Sequence, residues 1–169
     1  MLKIINDLRL FFEDCYRRIS VREYARIMHV SPPTASSLLE SYYKEGLLMR
    51  NRERNYIFFY ANKENKNFID ISRIYWRYRL KDIILYIENE TIDVSILLFG
   101  SLSKAEVTAD SDIDLAVIGH KKQLQIKEFE DKIKRKIQIF WFNSISDIKS
   151  TELANNIVNG YILTGKLVV

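Results

Sequence analysis

Residues 94–118 read VSILLFGSLSKAEVTADSDIDLAVI, and this stretch decides the interpretation of the fold. Its first six residues form a continuous apolar run, which is typical of a strand buried on both faces. Gly100-Ser101 ends that run ahead of a short predicted helix, and a second strand is predicted over 112–118. With the helices predicted elsewhere in the chain, this stretch predicts an α+β protein.

The second predicted strand carries two carboxylates. Because side chains alternate along a strand, Asp112 and Asp114 lie on one face about 7 Å apart. A divalent cation would relieve their mutual repulsion, and oxygen-only ligands suit Mg²⁺. Backbone N–H groups at Gly100 and Ser101, with the serine hydroxyl, are suited to bind a phosphate. The sequence predicts a site for a magnesium-bound nucleoside triphosphate, and the alternative for the acidic pair alone is a solvated strand end.

Two segments resemble the signature of the DNA polymerase beta nucleotidyltransferase superfamily: Phe99-Gly100-Ser101 and Ser111-Asp112-Ile113-Asp114-Leu115. The step of eleven residues from Ser101 to Asp112 also matches that signature. The resemblance is closest to its minimal nucleotidyltransferase branch and extends from about residue 94 to the closing segment 159–169. It implies a C-terminal nucleotidyltransferase fold built on a mixed β-sheet, and transfer of a nucleoside monophosphate from a triphosphate to a hydroxyl acceptor. The residues implied to bind the nucleotide are Gly100, Ser101 and Lys104, and those implied to bind the catalytic Mg²⁺ are Asp112 and Asp114.

One position departs from that family. Its active members carry a third carboxylate on the next central strand, which is predicted here over 136–142, and the matching residue is Gln138. An amide carries no negative charge and accepts no proton near neutral pH. The alternatives left open are therefore an active nucleotidyltransferase, a DNA-binding regulator whose nucleotidyltransferase domain only senses nucleotide, and an antitoxin-like protein that inhibits a cognate toxin.

The first third of the chain has a different plan. Ser20 and Glu23 predict the start of a helix over 21–28, and Ser31 predicts the start of another that ends near Gly46. Two strands follow, over 47–49 and 56–60, with residues 50–55 as the turn between them. Residues 20–61 resemble the winged helix-turn-helix domain of bacterial and archaeal regulators.

That resemblance implies DNA binding through a polar helix face and a basic wing tip. Short polar side chains on the second helix would approach base edges in a major groove, and arginines of the wing would lie against phosphates. The helix lacks arginine, so guanine readout is not expected from it. The alternative is a scaffold for protein contacts. The DNA-contacting residues predicted are Thr34, Ser36, Ser37, Lys44, Arg50, Arg52 and Arg54.

Charge and polar breaks divide the chain into three parts. Residues 1–63 carry 11 Lys/Arg and 7 Asp/Glu, whereas residues 64–90 and 91–169 are balanced, so the net charge of +4 lies in the first part. These parts are predicted to be a winged helix-turn-helix domain, a linking helix and a nucleotidyltransferase-like domain. The linking helix has apolar stripes on two opposite faces. We therefore expect both faces to be buried, between the two domains or against a partner in a homodimer.

Composition excludes several other classes. No stretch approaches the ~18 apolar residues of a membrane span, and the N-terminus lacks the apolar run of a signal peptide, so we expect a cytoplasmic protein without a membrane partner. One cysteine and two histidines exclude an internal disulfide and a structural zinc site. With 47% hydrophobic residues, the chain has enough apolar material for an ordered core.

Overall fold

A computed structural model describes residues 2–167 of the chain. The chain folds into two compact units. The first unit comprises the residues up to Ser72 together with Ala105–Ala109, and the second comprises Arg73–Lys104 and the residues from Asp110 onward. The division falls within the segment 64–90 that was predicted to link two domains.

The first unit contains three helices, a hairpin and the beginning of a fourth helix from Lys66 to Ser72, and a short strand between the first two helices completes its sheet. The sheet is antiparallel in the order β1-β3-β2. In chain order, the elements are α1 (Lys3–Glu13), β1 (Ile19–Ser20), α2 (Val21–Met28), α3 (Pro32–Lys44), β2 (Leu48–Glu53) and β3 (Tyr56–Ala61).

Serine side chains begin α2 and α3 as their sequences predict. The Ser20 hydroxyl accepts from the Glu23 backbone N–H at 3.3 Å, and the Ser31 hydroxyl accepts from the Thr34 backbone N–H at 3.3 Å. The expected capping box at α2 is only half formed, because the Glu23 carboxylate bonds Arg17 at 2.8 Å. Each serine satisfies a backbone donor that the first helical turn leaves without a partner.

The hairpin is tighter than the sequence predicts. The expected loop 50–55 is wrong, because β2 continues to Glu53 and pairs it with Tyr56, which leaves Arg54-Asn55 as the turn. Polar residues of β2 lie opposite apolar residues of β3, such as Arg50 opposite Phe59. The apolar strand β3 therefore pairs with polar residues of β2 that have a low intrinsic preference for strand structure, and β2 is longer than its own sequence predicts.

A buried polar network joins the three helices of the first unit. The Tyr42 hydroxyl donates to Asp7 Oδ2 at 2.8 Å, and the Tyr24 hydroxyl donates to the Asp7 carbonyl oxygen at 2.9 Å. Burial, reinforced by the Asp7 carboxylate, raises the pKa of both tyrosines. Helix α1, for which no element was predicted from the sequence, supplies Asp7 and the fully buried Phe11 and Phe12.

The second unit is built on a four-stranded mixed sheet. Its strand order is β6-β5-β4-β7, in which β5 and β6 are parallel and the other pairs are antiparallel. The C-terminal part of α4 (Lys66–Arg79) opens this unit. The remaining elements are α5 (Lys81–Glu90), β4 (Ser95–Phe99), α6 (Ser101–Lys104), β5 (Ile113–Ile118), α7 (Lys127–Ile133), β6 (Ile137–Phe142), a 3₁₀ turn (Ile145–Asp147), α8 (Thr151–Val158) and β7 (Tyr161–Thr164).

The strands follow from the sequence pattern. All five residues of β4 are buried, as its continuous apolar run predicts. Leu97, Phe99 and Ala116 form one core cluster with Ile148 and Ile157. Of the predicted closing segment, residues 161–164 form β7 beside β4, and Val168-Val169 lies outside the described residues. An α+β protein with a mixed sheet is thus confirmed.

The expected single linking helix is wrong. It divides into α4 and α5 at Leu80, where φ is −92° and ψ is 1°. Backbone bonds continue across the break, from Leu80 N–H to the Trp76 oxygen and from Ile84 N–H to the Leu80 oxygen. Apolar periodicity runs through such a local change of direction, so the pattern could not show it.

The prediction that both apolar stripes are buried holds within the chain for the second stripe, Leu80, Ile83, Ile84 and Ile87. Of the first stripe, Ile71, Ile74, Tyr75 and Tyr78, only Tyr75 is fully covered, so that burial of the rest against a homodimer partner stays a prediction. Ile74 and Tyr78 of the first stripe are 44% and 46% exposed, whereas Ile83 and Ile87 of the second are fully buried.

No helix among the described residues combines the length and apolar character that crossing a bilayer requires.

Candidate active site

The sheet brings the glycine-serine bend to the acidic strand. Phe99 ends β4 and pairs with Asp114 of β5, so the bend that follows β4 lies beside that carboxylate. Gly100 adopts a φ of +68°, and a Cβ atom at this position would overlap Asp114 Oδ2. Glycine is therefore required twice, once by the left-handed backbone and once by the closeness of the carboxylate.

The two carboxylates share the edge of the sheet where β5 begins. Asp112 immediately precedes β5, Asp114 is its second residue, and both side chains are half-buried. Burial, and secondly the charge of Asp112, raises the pKa of Asp114. The arrangement therefore places two negative charges close together with one of them partly withdrawn from water, which is an electrostatic condition that favours a cation.

Gln138 lies where the sequence predicts it. It stands opposite Asp114 in the parallel pairing of β5 with β6, and its Nε2 donates to Asp112 Oδ2 at 2.7 Å. The orientation of the amide follows from chemistry, because an ionised carboxylate only accepts hydrogen bonds. Within residues 2–167 no group of three or more His, Cys, Asp or Glu side chains is placed to hold a metal ion.

The residues present fit one hydrated Mg²⁺ with its nucleotide. Asp112 and Asp114 supply oxygen donors, and the space that a Cβ at Gly100 would fill lies directly against Asp114. Mg²⁺ characteristically binds one or two carboxylates and completes its octahedron with water and substrate phosphates. Because α6 is a single turn of four residues, the phosphate contacts would come from Gly100 and Ser101 themselves.

Two arginines that were not predicted from the sequence form hydrogen bonds beside the site. One lies next to the Gly100–Ser103 segment, here called the glycine arm, and the other next to Ser111 and the acidic pair, here called the acidic arm. On the glycine arm, Arg73 Nε donates to the Ser103 carbonyl at 2.8 Å, and the Ser103 hydroxyl donates to the Gly100 carbonyl at 2.9 Å. On the acidic arm, an Arg135 guanidinium nitrogen donates to the Ser111 carbonyl at 2.7 Å. These bonds join residues far apart in sequence, and no local pattern signals them.

Other charged residues near the site have structural partners. The Lys104 ammonium donates to Asn156 Oδ1 at 2.9 Å, and its role at the nucleotide stays a prediction. Because Phe129 and Ile133 are the inward residues of a short helix predicted there, the sequence predicts that Glu128, Glu130 and Asp131 face solvent. This is wrong for Glu130, whose side chain is 12% exposed and accepts from the Ile137 N–H at 3.0 Å, because it satisfies the first backbone donor of β6.

Asp114→Asn is expected to stabilise the fold at pH 7. The pKa of Asp114 is higher in the folded state than in the unfolded state, so ionisation costs more in the folded state. The stability of the fold therefore falls as the pH rises from the unfolded-state pKa through the folded-state pKa. Removing the charge should raise the free energy of unfolding at neutral pH and leave it unchanged below about pH 3, where the carboxyl is protonated in both states. Urea unfolding at both pH values measures this, with the exposed Asp110→Asn as the control, and equal stabilities at pH 7 would contradict it.

The predicted DNA-contacting residues occupy the first unit. Ser37 and Lys44 are exposed on α3, Ser36 is half-buried, and the Thr34 hydroxyl shares a hydrogen bond with Ser31 at 2.8 Å. The expected place of Arg50 at the wing tip is wrong. It lies near the base of β2, where it bonds both oxygens of Glu40 at 2.7 and 2.8 Å, since the longer strand moves the turn to Arg54-Asn55.

Arg52 and Arg54 lie nearer the tip, and their side chains are exposed. Side chains alternate along β2, so Arg52 shares a face with Arg50. Because Arg50 reaches Glu40 of α3, that face is the one turned toward α3.

The second unit thus combines a carboxylate pair, a glycine bend and a mixed sheet. The comparison with protein families gives the assignment: residues 81–168, just over half of the chain, match the model of the polymerase beta nucleotidyltransferases. The chain therefore belongs to the polymerase beta nucleotidyltransferase family, and this membership supports nucleotidyl transfer in general. No curated protein and no solved structure matches the chain.

Proposed function

We propose that this protein binds a magnesium-bound nucleoside triphosphate and transfers its nucleoside monophosphate to a hydroxyl acceptor. The observation that carries the proposal is the closeness of Gly100 to Asp114, where a single added carbon would overlap the carboxylate. This close approach puts the backbone bend, which would bind phosphate, next to a carboxylate that would bind the cation. The family match over residues 81–168 supports the same reaction class.

Each residue has a distinct role in the proposal. Asp112 and Asp114 would hold the cation, and when bound Mg²⁺ would neutralise phosphate charge during transfer. The backbone N–H groups of Gly100 and Ser101 would orient the phosphates, with the Ser101 hydroxyl as a further donor. Arg73 and Arg135 act as positioning residues, because they fix the carbonyls beside the two arms.

The test is a binding titration followed by a transfer assay. Isothermal titration of the purified chain with a triphosphate should show binding in the presence of Mg²⁺ and none with a chelator. Incubation with a triphosphate labelled at the α-phosphate should then label an acceptor hydroxyl in protein or nucleic acid. A wild-type chain that binds no triphosphate with Mg²⁺ would remove the proposal.

Gln138 favours a second candidate function, in which the site binds nucleotide and the first unit acts on DNA. An amide beside Asp112 takes no proton from an attacking hydroxyl. In this candidate, the first unit is a winged helix-turn-helix domain that uses α3 and the β2–β3 hairpin to bind DNA. Support comes from the order of its helices and hairpin and from the arginine-bearing face turned toward α3.

Arg52→Ala with Arg54→Ala is expected to weaken DNA binding at low salt. Each arginine that contacts a phosphate releases about one counterion, so the slope of log K against log salt should become shallower by about 2. Fluorescence anisotropy with a labelled random-sequence duplex, measured across a salt series, gives both quantities.

The matched control for this pair is Lys121→Ala with Lys122→Ala, which removes the same charge from exposed positions of the second unit. It should leave the slope unchanged. Equal slopes for the arginine variant and the wild type would contradict the DNA-binding role of the hairpin.

A further inference from the structure

The amide of Gln138 occupies one of the oxygens that the cation site offers. Asp112 and Asp114 point to one face of the sheet, and Gln138 shares that face because residues paired in parallel strands project together. Its Nε2 lies 2.7 Å from Asp112 Oδ2. The Gln138 side chain is thus hydrogen-bonded to one member of the acidic pair within the protein itself.

This bond limits what Asp112 can coordinate. A carboxylate bridges two cations by giving one oxygen to each, and Asp112 Oδ2 is engaged with the amide. The other oxygen remains for one cation shared with Asp114. The described residues bring no third His, Cys, Asp or Glu to the group, so the protein offers no further ligand for a second cation.

We infer that the site holds a single divalent cation with its triphosphate, and that Gln138 excludes a second cation by binding Asp112 and by replacing a carboxylate with a neutral amide. The inference rests on the proposed nucleotide site and specifies its metal content. Gln138 acts here as a positioning residue, since it acts on the cation through Asp112.

The exclusion has a consequence for transfer. The acceptor hydroxyl oxygen forms a bond to the α-phosphorus while the bond from that phosphorus to the bridging oxygen breaks. Pyrophosphate leaves, and the hydroxyl proton passes to water, because the Gln138 amide does not accept it. General-base catalysis contributes roughly 10²–10⁴ in rate. Without it, we expect the triphosphate to bind normally and to be transferred slowly.

The experiment counts bound Mn²⁺, a paramagnetic substitute for Mg²⁺, by electron paramagnetic resonance. The purified full chain is saturated with a non-hydrolysable triphosphate analogue and titrated with Mn²⁺. The wild type should bind one tightly held Mn²⁺ per chain, and Gln138→Glu should bind two, because the new carboxylate supplies charge and a ligand. Gln138→Met, which matches the length of the side chain without charge, should still bind one.

The outcomes separate the inference from the function on which it rests. Two tightly held Mn²⁺ ions in the wild type, or one in Gln138→Glu, would overturn the inference and leave nucleotide binding intact. A wild-type chain that retains neither analogue nor Mn²⁺ would overturn the proposed function and the inference together. Gln138 is exposed at the surface of β6, so Gln138→Met is expected to unfold near the wild-type urea concentration, whereas Gln138→Glu adds a charge beside Asp112 and should unfold at a lower concentration without metal.

Discussion

Asp112→Ala combined with Asp114→Ala is expected to abolish Mg²⁺-dependent triphosphate binding. Both side chains are half-buried at the edge where β5 begins, and no other acidic or metal-binding side chain completes a group with them in the described part of the chain. Loss of residues that merely orient metal ligands already costs 10–100-fold in affinity, so removing both ligands should cost at least ~100-fold. Isothermal titration with Mg²⁺ and a triphosphate measures the change.

The control variant for this double change is Asp110→Ala with Glu128→Ala. It removes the same charge from two exposed positions of the second unit and should bind as the wild type does. Retention of Mg²⁺-dependent binding by the Asp112 and Asp114 variant would show that the nucleotide is held elsewhere.

Gly100→Ala is the single substitution with the largest expected effect on the site. The backbone at φ +68° disfavours any side chain by ~1–2 kcal/mol. In addition, the new methyl group would overlap Asp114 Oδ2, so the carboxylate must leave its position beside the bend. We expect a loss of triphosphate affinity of at least ~10-fold, because a ligand of the cation is displaced. Titration of the folded variant measures it.

Gly46→Ala separates backbone strain from the displaced carboxylate. Gly46 has a similar φ of +74°, but a Cβ there would meet Asn65 Nδ2 at 3.4 Å, which is ordinary contact distance, and no carboxylate. This variant should lose a similar amount of stability in urea unfolding and keep its triphosphate affinity. Equal affinities of Gly100→Ala and the wild type would contradict the proposed phosphate site.

Local signals in the sequence were enough for part of this structure. The apolar run of β4, the glycine that ends it and the alternation of Asp112 and Asp114 each depend on neighbouring residues, and the structure has them as predicted. The resemblance to the nucleotidyltransferase family placed Gln138 on the strand next to the acidic one, and the structure pairs it with Asp114, although β6 lies at the edge of the sheet and not at its centre as predicted. Ser20 and Ser31 begin their helices for the same local reason.

Features that depend on tertiary contacts were not predicted. The bonds of Arg73 to Ser103 and of Arg135 to Ser111 form between elements 30 and 24 residues apart, so neighbouring residues do not indicate them. The length of β2 depends on the apolar partner strand β3, rather than on its own polar sequence. The break at Leu80 keeps its backbone hydrogen bonds and its apolar periodicity, and it therefore leaves no trace in the pattern.

The most direct test of the central claim is a crystal structure of the wild-type chain with Mg²⁺ and a non-hydrolysable triphosphate. We expect a cation coordinated by Asp112 and Asp114, phosphate oxygens within hydrogen-bonding distance of the Gly100-Ser101 bend, and the Gln138 amide still bonded to Asp112. A triphosphate bound away from that bend, or a cation that touches neither aspartate, would contradict the account.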